Sequence, residues 1–307
     1  MKRIEWTFAL SALLFSASIT AVAEAIPLSV VISASQSNDA KGKLGKPMLA
    51  ATETKNKQAL SIGDSYVLTS KLMQEERRIN VMVPDVYQRD PHLKLPVIYM
   101  LDGGLKEDFL HIAGLMQVSI DNGTMRPFIL VGIENTVRRR DLTGPSDNAL
   151  DKRDIPNLGG APRFREFLLK EAIPFVEQAY RVTDERALVG ESLAGLFTLE
   201  TLFYAPDAFQ TFIAIDPSLW WNDQKLTAAF SEKLKLQPRL AKKVYFASSG
   251  QAGMEKVISA FANVLEQTKP EGLQWTYEKF PAETHATIYH PAALKAFRLV
   301  FAPPAKQ

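Results

Sequence analysis

Ala187-Leu188-Val189-Gly190-Glu191-Ser192-Leu193-Ala194-Gly195-Leu196-Phe197 is the stretch on which the reading of this chain turns. Its first part is apolar and suits a buried strand, whereas from Leu193 onward the apolar residues recur with helical spacing. A strand that runs straight into a helix bends its linking residue sharply and demands small neighbours on either side. Gly190, two positions before Ser192, and Ala194, two after, meet that demand, although the strict motif has glycine at the second position. The turn lifts Ser192 to the strand tip as a candidate nucleophile. Its competing role is a plain helix cap.

Outward from this turn, short β-branched or aromatic runs alternate with helical patterns, the signature of a mainly parallel sheet with crossover helices. Strands are expected over residues 66–70, 78–83, 96–101, 128–133, 187–190, 211–215, 243–247 and 274–279, and helices over 164–179, 193–204, 252–266 and 291–301. Pro96-Val97-Ile98-Tyr99-Met100-Leu101 is apolar throughout and marks the sheet centre. Residues 135–161 are rich in Arg, Asp and Gly and read as a long ordered loop, a common form of substrate-binding or lid element. The expected fold class is α/β: an α/β-hydrolase fold with about eight strands in a mainly parallel central sheet, flanked by helices.

A hydroxyl nucleophile needs a base. Of the four histidines only His285 and His290 follow Ser192 in the chain, as this architecture requires. His285 follows the last strand in a loop able to hang over the strand tips, and His290 reads as the start of the final helix. The base in turn needs a carboxylate to hold its tautomer. Glu255, after the strand at 243–247, is the first choice, and Asp216 at the tip of 211–215 is its rival. For the oxyanion, one N–H is expected from Leu193 and another from Gly104 in Leu101-Asp102-Gly103-Gly104-Leu105, with Gly103 close behind.

Composition narrows the partners. With 36 basic and 34 acidic residues mixed along 307 positions, the net charge of +2 forms no stripe for nucleic acid, so a small-molecule ester is the expected partner. The absence of cysteine excludes disulfides, thiolate nucleophiles and Cys-based zinc sites, and four scattered histidines form no ligand-spaced metal cluster. No cofactor is expected. Lys2 and Arg3, an apolar run from Phe8 to Val22 and the small residues of Ala21-Val22-Ala23-Glu24-Ala25 have the build of a secretory signal peptide. Residues 1–25 are therefore expected to be cleaved, after Ala23 or Ala25, leaving a flexible leader over 26–60, a single domain over 61–307 and no membrane span. A periplasmic or secreted location follows.

Further blocks carry a resemblance: Pro96 to Gly103, Arg140-Asp141-Leu142-Thr143, Gly190 to Phe197, Pro217-Ser218-Leu219-Trp220-Trp221-Asn222 and Glu283-Thr284-His285. Together they resemble the esterase D-like family of α/β hydrolases, especially its siderophore-esterase branch, which cleaves enterobactin-like and bacillibactin-like triesters. The resemblance implies Ser192 as nucleophile, His285 as base and the Gly103-Gly104 loop at the oxyanion. It also implies that Trp220 and Trp221 line the acyl or catechol pocket and that Arg139 or Arg140 contacts an acidic substrate. Core packing and a solvated arginine cluster are the respective alternatives. The chain departs from the pattern at Glu191, where the family usually has His, at Ala194, where it has Gly, and at Asp216, where it has Ser. Some siderophore esterases work with a Ser-His dyad alone.

Overall fold

The computed structural model describes residues 58–236 and 239–304. The expected signal peptide, and all but the last three residues of the expected leader, lie outside the described residues. Eight strands form one sheet: β1 (Asp64–Ser70), β2 (Glu75–Met82), β3 (Leu95–Leu101), β4 (Ile129–Ile133), β5 (Val182–Glu191), β6 (Thr211–Ile215), β7 (Lys243–Ser249) and β8 (Gln274–Phe280). Their spatial order is β1-β2-β4-β3-β5-β6-β7-β8, with β2 antiparallel to both β1 and β4 and every other pair parallel. This is the α/β-hydrolase fold expected above.

Ten helices are described: α1 (Asp85–Arg89), α2 (Phe109–Asp121), α3 (Arg138–Leu142), α4 (Ala149–Asp154), α5 (Ala161–Phe167), α6 (Ile173–Ala179), α7 (Leu193–Tyr204), α8 (Trp221–Leu236), α9 (Met254–Thr268) and α10 (Tyr289–Val300). A π-helical turn at Leu168–Ala172 joins α5 to α6, so the single helix expected over 164–179 is a composite. The core divides along the pleat of β3. Val97, Tyr99 and Leu101 face a layer holding Phe164, Phe197, Phe230 and Phe261, while Ile98 and Met100 face Ile112, Met116, Ala293 and Phe297 of α2 and α10. Every residue of β3 is buried, which is why this run lacks the polar alternation of a half-exposed strand.

The 135–161 segment carries two short helices, α3 and α4, and is latched in place. Asn222 Oδ1 accepts from Ser146 Oγ at 3.1 Å and from the Asp147 N–H at 3.0 Å, and the Asn222 N–H donates to Asp151 Oδ2 at 2.9 Å. Asn222, Asp223 and Gln224 all have positive φ, at 47°, 54° and 62°. This left-handed run turns the start of α8 towards the segment.

Candidate active site

Ser192 stands between β5 and α7 with φ 61° and ψ −121°, a region that residues other than glycine rarely occupy. The turn is held from both sides: its N–H donates to the Ile215 carbonyl at 3.0 Å, and its own carbonyl accepts from Leu196 and Ser218, both at 3.0 Å. A Cβ at position 190 would lie 2.4 Å from the Ala194 carbonyl oxygen. Gly190 is thus required sterically, and its missing side chain leaves space for the methyl of Ala194 at a position where the strict motif has glycine.

His285 lies in the loop between β8 and α10. Its Nε2 is 2.9 Å from Ser192 Oγ and its Nδ1 is 2.6 Å from Asp216 Oδ2. Asp216 is fully buried just beyond β6 and accepts from Ser249 twice, from the N–H to Oδ1 and from Oγ to Oδ2, each at 2.8 Å. These two donors orient the carboxylate towards the imidazole. The bond to Asp216 raises the His285 pKa above the ordinary imidazole value; burial opposes this and the Glu191 carboxylate adds to it. Both carboxylates favour the protonated form of the imidazole.

Glu255, the first-choice acid, does not face His285. It begins α9 and pairs with Lys279 of β8 at 2.7 Å, with both side chains about half exposed. The contact expected of Glu255 is made by its rival Asp216, because β6 adjoins β5 and its tip therefore lies beside Ser192.

The oxyanion loop differs from expectation in detail. Leu193 is the first residue of α7, so its N–H has no carbonyl partner within the helix. The N–H of Gly104, however, donates to Glu107 Oε2 at 2.7 Å while its carbonyl accepts from the Glu107 N–H at 3.0 Å, a backbone turn closed a second time by the glutamate side chain. Gly104 can serve an oxyanion only by exchanging Glu107 for it. Gly103 is occupied structurally: its N–H donates to the Ile133 carbonyl at 2.9 Å, and a Cβ there would lie 2.3 Å from the Gly132 Cα.

Among the residues that the resemblance assigned to substrate, Trp220 is 43% exposed, whereas Trp221 is 3% exposed and donates from Nε1 to the Gly144 carbonyl at 3.2 Å. Trp221 is therefore a packing residue. Arg140 is also structural: it binds Glu75 at 2.7 Å and Asp141 at 2.6 Å, bridging β2 and α3. Arg139 makes one long bond, to the Asp154 carbonyl at 3.4 Å. The arginine that does lie among the site's charges is Arg138, whose Nε and Nη2 donate to the two oxygens of Asp102 at 2.6 and 2.7 Å. His111 and His290 stack on each other with centroids 4.8 Å apart.

Glu191, the departure from the family pattern that brings a carboxylate near the site, touches the base itself. Its Oε1 lies 3.5 Å from His285 Nε2, and burial pushes its carboxyl up to about 7 against the opposing pull of His285 and Arg138. Its place directly before the nucleophile puts a carboxylate near the site in the sequence reading; the contact with His285 Nε2 is what the fold adds.

The chain is similar to known proteins over most of the described residues. The chain is 31% identical over 181 residues to the ferri-bacillibactin esterase BesA of Bacillus subtilis (strain 168), a match covering 53% of this chain and 62% of that protein. It thus spans about three-fifths of that relative's length. Among solved structures, it superposes on an IroE-like serine hydrolase from Shewanella oneidensis with a TM-score of 0.71 at 28% identity, covering 78% of this chain and 80% of that one. The BES protein from Bacillus cereus gives a TM-score of 0.70 at 25% identity, with 82% and 99% covered. The model of the esterase family, described as "Putative esterase", matches residues 70–293, which is most of the chain, and the protein belongs to that family.

Proposed function

We propose that this protein is an exported serine esterase that hydrolyses a small-molecule carboxylic ester of the siderophore type. The observation that carries the reading is the continuous chain from Ser192 Oγ through His285 to Asp216, with contacts of 2.9 and 2.6 Å. In this reading Ser192 Oγ attacks the ester carbonyl as its proton passes to His285 Nε2. Asp216 holds the Nδ1 proton and the positive charge. The tetrahedral intermediate collapses as Nε2 returns the proton to the leaving alkoxide, and water then cleaves the acyl enzyme by the same relay. The Leu193 N–H stabilises the oxyanion, where one donor typically contributes 10²–10³-fold in rate.

The siderophore substrate is supported by relatives such as the ferri-bacillibactin esterase and by the exposed Trp220, two residues after Ser218, whose N–H donates to the Ser192 carbonyl. Export is supported by the basic, apolar and small-residue regions at the start of the chain. Among the described residues no helix is long and apolar enough to cross a membrane. The direct test measures hydrolysis of p-nitrophenyl esters and of a panel of siderophore esters by the wild type and by Ser192→Ala. The variant is expected to lose at least about 10⁴-fold in kcat. Equal activity in both proteins would remove Ser192 from the mechanism.

A further inference from the structure

The charges around the reacting atoms are unbalanced. Glu191 ends β5 with its side chain 16% exposed, and its carboxylate lies 3.5 Å from the imidazole nitrogen that faces Ser192. Arg138, the nearby cation, is bound through its Nε–Nη2 edge to both oxygens of Asp102, so its charge is already matched by that carboxylate. The groups that act on Glu191 are His285, Arg138, Asp102 and Asp216; the buried Tyr289 hydroxyl also feels it and is uncharged. With the imidazole neutral, as a general base must be, the carboxylates of Asp102, Glu191 and Asp216 face a single guanidinium.

We propose that Glu191 is a specificity-determining residue that selects esters carrying no negative charge near the scissile bond and rejects polyanionic ones. This rests on the serine-esterase reading above and narrows its substrate class to uncharged or cationic esters. Among siderophore-type esters it favours iron-free or uncharged forms over a polyanionic ferric catecholate complex. The physical cause is repulsion in the transition state. The oxyanion already adds one negative charge, and a second on the substrate about 6 Å from Glu191 costs roughly three- to a hundredfold in rate between water-like and protein-like screening. Because Glu191 ionises near neutrality, at about 7, discrimination is strong at pH 8 and fades at pH 6.

The test uses two esters of similar size: p-nitrophenyl pentanoate, which is neutral, and mono-p-nitrophenyl succinate, which is anionic at both pH values. The readout is the neutral-to-anionic ratio of kcat/KM, in which the ionisation of His285 cancels. At pH 8 the ratio is expected to fall about tenfold in Glu191→Gln and to persist in Glu191→Asp, which keeps the charge. In the wild type, which needs no variant to fold, the ratio is expected to shrink several-fold from pH 8 to pH 6. A ratio that moves less than twofold in Glu191→Gln, or in the wild type between these pH values, overturns the proposal. Ser192→Ala separates the two levels. If it is inactive while the ratio stays fixed, charge selection alone fails. If it hydrolyses both esters as well as the wild type, the serine-esterase reading fails as well.

Discussion

Asp216 and Glu255 each follow a strand that comes after Ser192 in the chain, and only their surroundings separate them. Asp216 is buried, held by two donors from Ser249 and bonded to His285; Glu255 is half exposed and paired with a lysine. Asp216→Asn is expected to lower kcat by 10³–10⁴-fold with little change in KM, because the amide favours the wrong imidazole tautomer. Glu255→Gln should stay within about twofold of wild type, since its partner is the exposed Lys279 and not His285. Steady-state kinetics on one chromogenic ester distinguishes them. Ser192 and His285 were legible in the sequence because a strand-turn-helix pattern and chain order point to them. The acid was not, because the choice depends on which strand neighbours β5, and linear order does not state it.

Helices whose apolar faces repeat over several turns, such as α7, α9 and α10, could be read from spacing alone. The short α3 and α4 could not, since five or six residues hold too few periodic positions, and α8 opens on a left-handed run that spacing cannot foresee. Between α5 and α7 lies a buried pair, Arg165 with Glu200 at 3.3 Å, beside a cavity bounded by Pro145, Pro162, Tyr204, Trp221 and Leu226. Burial pushes the Glu200 carboxyl up to about 7 despite Arg165, so the pair is poorly compensated. Arg165→Met alone is expected to destabilise by about 3–5 kcal/mol, because a buried carboxylate loses its partner. Arg165→Met combined with Glu200→Leu should recover this and approach or exceed wild-type stability. Urea unfolding of the single and double variants is the measurement; equal losses in both would show that the pair is net stabilising.

Across the whole molecule, the sheet order brings three distant segments to one edge: the end of β5, the residue after β6 and the loop after β8. At the other half of the sheet, β2 is tied to α3 by Glu75, Arg77, Arg140 and Asp141. Although burial pushes the Glu75 carboxyl up, bonds from Arg140, Arg77 and Thr136 hold it down at about 2 against an ordinary 4.5. A depressed carboxylate stabilises the fold above its ordinary pKa, and that contribution is lost as pH falls from 4.5 through 2. Glu75→Gln should therefore cost up to about 3 kcal/mol at pH 7, with the gap to wild type closing as pH approaches 2. Denaturant midpoints across this range would show it, and a gap that does not vary with pH would refute it.

The left-handed backbone of Ser192 has a consequence for descent. Glycine would occupy φ 61° without a Cβ penalty, so Ser192→Gly should be inactive yet melt a few degrees higher, as about 1 kcal/mol of relieved strain implies for a domain of this size. Scanning calorimetry of the two proteins would measure the gain, and a lower melting point would refute it. Mutational drift at this position thus meets no thermal barrier, and a lineage with no use for ester cleavage would be free to shed the hydroxyl. Serine at this φ marks a residue placed for what it does and not for what it holds together.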